Sequence, residues 1–159
     1  MLHWPDASVS VLQGGWGTIL TFAAIILAGK ISDKIGPKKM QITVMWGICL
    51  YLLALSAGSG YWNNDLFSGT ALVMWNLADP LLSVAVFPIL MGLCLDKVEG
   101  SQFTAYLALV NLCDVSGSYL TGWALHVTSA PVLSVCCGLL LLIILVYMKT
   151  SGNYKVIPG

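Results

Sequence analysis

Apolar residues in this chain come in long runs. They show neither the alternation of a sheet strand nor the one-sided stripe of a soluble helix. Five runs stand out, at 9–29, 40–58, 68–95, 102–126 and 131–148. Each approaches or exceeds the roughly 20 residues that carry a helix across the apolar core of a bilayer. Short polar segments separate them: G-K-I-S-D-K-I-G-P-K-K at 29–39, S-G-Y-W-N-N-D-L-F at 59–67, L-D-K-V-E-G at 95–100 and V-T-S-A at 127–130. The pattern predicts an all-α integral membrane protein with five transmembrane helices in a single membrane domain over residues 1–159.

Local signals refine the five spans. Gly14, Gly15 and Gly17 form a small-residue cluster suited to close helix contact in lipid. Pro37 fits the first turn of the second helix, where its missing N–H costs nothing. Tyr61 and Trp62 read as interface anchors, and Ser101 reads as the N-cap of the fourth span. The third run is long: about 28 residues at about 1.5 Å each span about 42 Å, against a core of about 30 Å. Pro80 and Pro88 supply a mechanical reason for it to bend.

Composition agrees with the pattern. Hydrophobic residues make up 58% of the 159 and charged residues only 9%, against about a quarter in soluble domains. All seven basic residues are lysines: Lys30, Lys34, Lys38 and Lys39 after the first span, Lys97 after the third, Lys149 and Lys155 after the fifth. Lysine collects in cytoplasmic loops, so this asymmetry puts the N-terminus outside and the C-terminus in the cytoplasm, in an inner or plasma membrane. The opening M-L-H-W-P-D lacks the basic start and cleavage site of a signal peptide. Cys49, Cys94, Cys113, Cys136 and Cys137 lie in apolar runs without metal-ligand spacing and read as small buried hydrophobes. No metal site, cofactor motif, nucleophile–base set or nucleic-acid stripe is legible, so neither an enzyme nor a nucleic-acid partner is expected.

At 29–39 the sequence resembles the signature loop of the major facilitator superfamily: glycine, three residues, an acid, a basic residue, any residue, then glycine and basics. Gly29, Asp33, Lys34, Gly36, Lys38 and Lys39 stand in those places, with Pro37 as a departure. L-M-G-L-C at 90–94 followed by S-Q-F at 101–103 is similar to the tenth-to-eleventh helix passage of the muropeptide permeases, in the peptide–acetyl-coenzyme A transporter branch. The E-G before Ser101 and Asn111 also resemble the folate–biopterin transporters.

The resemblance implies helices eight to twelve of a twelve-helix fold, an incomplete six-helix half. Its partner would be the missing N-terminal half, in the same or a separate chain. The 29–39 loop would gate access, Asp33 facing the N-terminus of the fourth span near Ser101. The third span would line the cavity, the first and fourth would face the other half, and the second and fifth would face lipid.

Ionisable groups within a span are functional candidates because lipid penalises them. Asp79 and Asp114 qualify, each within a matching octapeptide: Asn76, Asp79 and Ser83 in one, Asn111, Asp114 and Ser118 in the other. At i, i+3 and i+7 these residues fall within about 60° of one another on a helix face. They are candidates for a solute or proton pathway. The plainer alternative is hydrogen bonding between helices, with the acids satisfied locally. Trp75 and Trp123 read as packing or belt aromatics.

The expected function is transport of a small polar solute by alternating access, coupled to protons. The alternatives are a non-transporting scaffold or inactive fragment, and a folate–biopterin-type transporter.

Overall fold

The computed structural model describes residues 10–95 and 98–151; of Trp16 only the backbone is described. Lys97, Lys155 and the start of the first expected span fall outside these residues. Every regular element described is helical. A π-helical stretch, Val11–Gly17, leads into α1 (Thr18–Ile35). Then come α2 (Pro37–Ala57), a 3₁₀ turn (Ser59–Tyr61), α3 (Asp65–Asn76), α4 (Ala78–Met91), α5 (Glu99–Val127) and α6 (Ala130–Thr150).

Four stretches are long and apolar enough to cross a membrane: Val11–Ile35, Pro37–Ala57, Asp65–Met91 and Ala130–Thr150. The fourth expected span, 102–126, is one 29-residue helix, α5, but it is not among those four. Asn111 and Asp114 near its middle dilute its apolar character. Its N-terminus also differs from expectation: Val98 precedes the first turn, and Ser101 lies within the helix.

The 29–39 segment is not an open loop. α1 runs through Gly29 and Asp33 to Ile35, and the chain reverses at the single residue Gly36. Gly36 takes φ 87°, ψ 145°, the one positive φ among the described residues. That conformation is open essentially to glycine alone, and its extended ψ suits the Pro37 that follows. Pro37 then occupies the first turn of α2, as its chemistry predicts.

The third expected span, 68–95, is broken. α3 ends at Asn76, Leu77 N–H bonds Met74 O at 3.2 Å, and α4 begins one residue later. The ring of Pro80 obstructs the carbonyl four residues back, at Asn76, which places the break a turn ahead of the proline. Asn64 caps α3 by accepting a hydrogen bond from Leu66 N.

Helix α2 is the most embedded element, packing against α1, α4 and α6. The second and fifth expected spans, α2 and α6, also share the most closely tied seam among the described residues. Three side chains bond backbone carbonyls across it: Ser56 Oγ to Pro131 O (3.0 Å), Ser134 Oγ to Leu52 O (2.8 Å) and Cys49 Sγ to Gly138 O (3.3 Å). As α2 numbers fall, α6 numbers rise, so the helices are antiparallel and three or four residues separate successive bonds. Lipid supplies no hydrophobic drive between helices, so small residues and such bonds hold them. The antiparallel register also sets Lys149 at the same end of the bundle as Lys30, Lys34, Lys38 and Lys39.

The core itself is thin: Ala28, Met40, Val44 and Ala85, joined by partly buried Ile48, Leu81, Leu82 and Val84. The accessible surface is 11286 Å², against about 7,700 Å² for a closed soluble monomer of 17 kDa. Phe22, Leu140 and Ile143 are each more than 60% exposed. Apolar area on that scale calls for lipid or protein cover. Four apolar helices with this outer surface are what a multi-pass membrane protein requires.

Candidate functional site

Two open cavities flank Trp75, near the end of α3. The larger, about 610 Å³, lies among α2, α3, α5 and α6. Its wall is built from Tyr51, Leu55, Trp62, Phe67, Leu72 and Leu125, among others. Four of the polar groups in that wall are turned onto backbone carbonyls, while Thr121 and the Trp75 indole line it without such a bond among the described residues. Tyr51 OH donates to Ala71 O (2.8 Å), Trp62 Nε1 to Leu55 O (3.0 Å), Ser68 Oγ to Trp62 O (2.6 Å) and Ser134 Oγ to Leu52 O (2.8 Å). Trp62, expected as an interface anchor, is thus tied back onto α2.

The smaller cavity, about 440 Å³, lies between α2 and α4 and holds Asp79 and Gln41 in a wall otherwise made chiefly of Met45, Ile48, Leu82 and Val86. Asp79 is exposed, in the first turn of α4. A first-turn carboxylate is favoured by the unpaired N–H groups there. Pro80 beside it falls where a helix needs no N–H donor, so the break costs less than a mid-helix proline would.

The break divides the first polar stripe. Asn76, the last residue of α3, turns toward the π-helical stretch, its Nδ2 3.4 Å from Gln13 O. A Cβ on Gly17 would sit 2.7 Å from that nitrogen, so the glycine permits the contact. Gly14 and Gly15 meet nothing within 4 Å, leaving Gly17 as the member of the cluster that makes the close approach. Asp79 faces the cavity instead, and Ser83 is half-buried farther along α4.

Asn111, Asp114 and Ser118 are all exposed on α5, a helix with no fully buried residue. They do not join Asp79 in either cavity. In the signature segment, Asp33 and Lys34 are exposed in the last turn of α1 and Gly29 is half-buried. Lys39 is exposed and Lys38 half-buried, in the first turn of α2. No hydrogen bond joins Asp33 to Ser101, which is itself exposed, among the described residues.

Residues of the S-Q-F run have a structural role that sequence reading missed. Gln102 Oε1 accepts from Leu95 N at 2.8 Å, latching the connection between α4 and α5. Phe103 meets Phe87 edge-on, with ring centroids 6.2 Å apart. Likewise missed was Tyr51, stacked on Trp75 at 6.1 Å with 25° between the rings. A tyrosine within an apolar run gives no sign of which ring it will meet.

Comparison with protein families, with curated proteins and with solved structures finds no match to the chain.

Proposed function

We propose that this chain is the membrane-embedded C-terminal portion of a secondary transporter of the major facilitator type, moving a small solute by alternating access with proton coupling. The observation that carries the reading is Asp79, a carboxylate at a helix break within an apolar span, open to a cavity that also holds Gln41. Broken helices at mid-membrane are where transporter sites recur, because freed helix ends supply polar groups without lipid contact. A carboxylate there is expensive unless it faces protein or water, which marks it as functional. On this reading Asp79 alternates between proton-bound and proton-free states as the site is exposed to either side.

Helix α5 supports the further reading that another protein surface completes the transporter. Its Asn111, Asp114 and Ser118 are exposed, and polar groups set against lipid would each cost several kcal/mol (roughly 2–7). The facing surface would be the N-terminal half, in the same or a second chain. α5 would then be the fourth of five spans, giving lysines on the cytoplasmic side and the N-terminus outside.

The test uses membrane vesicles in which a panel of labelled small solutes has identified uptake. Asp79→Asn keeps the side chain's size but removes its exchangeable proton. It is expected to abolish uphill accumulation driven by a pH gradient while sparing downhill counterflow. Uphill accumulation undiminished in Asp79→Asn refutes the assignment.

A further inference from the structure

We infer that the solute is an amphipathic organic cation, its charged group held at Asp79 and its apolar body in the larger cavity across Trp75. This rests on the transport reading above and names the chemistry of the same site.

The two cavities adjoin, because Trp75 lines both. What they offer is opposite in kind. In the larger cavity the donors of Tyr51, Trp62, Ser68 and Ser134 are already spent on carbonyls, which leaves the Thr121 hydroxyl and the Trp75 indole N–H, so a strongly polar solute would exchange water for few new hydrogen bonds. Its aliphatic and aromatic wall instead favours a hydrocarbon or aryl group. In the smaller cavity the charged side chain is Asp79, and no lysine lines either cavity. The described lysines gather at one end of the bundle, with Lys38 a turn before Gln41 on α2 and Asp79 on the other helix of the cavity. An anion would meet the carboxylate with no cation to offset it. A neutral solute would bring no counter-charge to Asp79 in its proton-free state, leaving Gln41 as the other polar side chain of that wall.

A cation satisfies both requirements, and Trp75 adds a third. Its ring is stacked on Tyr51 and half-exposed, so a ring face or edge remains open to the cavities. Aromatic faces attract cations, and the attraction grows where water is scarce. The complement of a carboxylate, an indole and an open, largely apolar cavity of about 610 Å³ is a molecule with one positive charge and a bulky apolar body.

The test measures equilibrium binding to the whole chain in lipid nanodiscs, read by tryptophan fluorescence. Three probes are used: tetraphenylphosphonium, its anionic counterpart tetraphenylborate, and tetramethylammonium, a cation without the aryl body. Expected is saturable binding of tetraphenylphosphonium, at least about tenfold weaker in Asp79→Asn, a difference worth about 1.4 kcal/mol. Thr121→Phe, on the exposed wall contributed by α5, fills the larger cavity and should weaken the same probe without affecting helix content. Tetraphenylborate and tetramethylammonium should each bind at least about tenfold more weakly than tetraphenylphosphonium. Equal binding of phosphonium and borate, or undiminished phosphonium binding in Asp79→Asn, overturns the charge assignment. Tetramethylammonium binding as tight as that of the aryl cation overturns the role of the larger cavity. Should Asp79→Asn abolish proton-driven accumulation of another solute while no saturable phosphonium binding is seen, the transport reading stands and this inference falls.

Discussion

The seam between α2 and α6 makes a quantitative prediction at Gly138. A Cβ placed there would lie 3.0 Å from Leu53 Cδ2, 3.2 Å from Leu53 Cγ and 3.6 Å from Leu52 Cβ. Carbon atoms rest at about 3.5–4.0 Å, so two of those contacts are too short. The Leu53 methyl can rotate away, but its branch carbon cannot, and the helices must part by a few tenths of an ångström. Parting them stretches the Cys49–Gly138 and Ser134–Leu52 bonds together. Overpacking of this kind costs about 1–3 kcal/mol. Alanine also gains up to about 1 kcal/mol over glycine in helix propensity, so Gly138→Ala alone should show a net loss of only about 0–2 kcal/mol.

A double-mutant cycle removes that ambiguity, because the propensity gain is common to both backgrounds. With Leu53→Ala the crowded atoms are gone, and adding Gly138→Ala should then be neutral or stabilising. The coupling between the two sites should be at least about 1 kcal/mol. The assay is unfolding in mixed micelles with increasing sodium dodecyl sulfate, followed by tryptophan fluorescence and checked for a single transition. Coupling below about 0.3 kcal/mol, within the additivity of independent sites, would refute the close approach of α2 and α6 at this point.

Three further outcomes are expected. Gly36→Val forces a β-branched residue into φ 87°, ψ 145° and should destabilise the α1–α2 turn by about 1–3 kcal/mol in the same assay, whereas Gly29→Ala, mid-helix with open space around it, should be neutral or better. Thr21 Oγ1 is buried without a hydrogen-bond partner among the described residues, so Thr21→Val should stabilise the chain by up to about 1–3 kcal/mol; a loss of stability would show that the hydroxyl has a partner in the membrane. A cysteine introduced at Asn63 should label from outside the cell and a tag at the C-terminus should be reached only from the cytoplasm; labelling of both from one side would overturn the proposed orientation.

Much of the architecture was legible in residue order, because bilayer thickness and backbone hydrogen bonding leave few choices. Four of the five apolar runs became helices, or a broken helix, long and apolar enough to span. The helix start at Pro37 was legible too, since proline acts through its own backbone geometry. So was Asp79 as a candidate, because any mid-span carboxylate stands out against lipid.

What the sequence could not supply was which faces meet. Helical periodicity placed Asn76, Asp79 and Ser83 on one face only if the helix was continuous, and the break at Leu77 turned Asn76 toward Gln13 and left Asp79 facing the cavity. A run of Leu, Ile, Val and Cys does not show which of its faces meets protein, and Cys49, Ser134 and Gly138 within two such runs form the α2–α6 seam. Periodicity is a property of one helix. The Tyr51–Trp75 stack, the Gly17–Asn76 contact and the two cavities each need residues from separate helices, whose rotation and register are set by packing. That is why the carboxylate could be picked from the sequence, while its apolar neighbour cavity, and with it the chemistry of the inferred solute, came only from the assembled bundle.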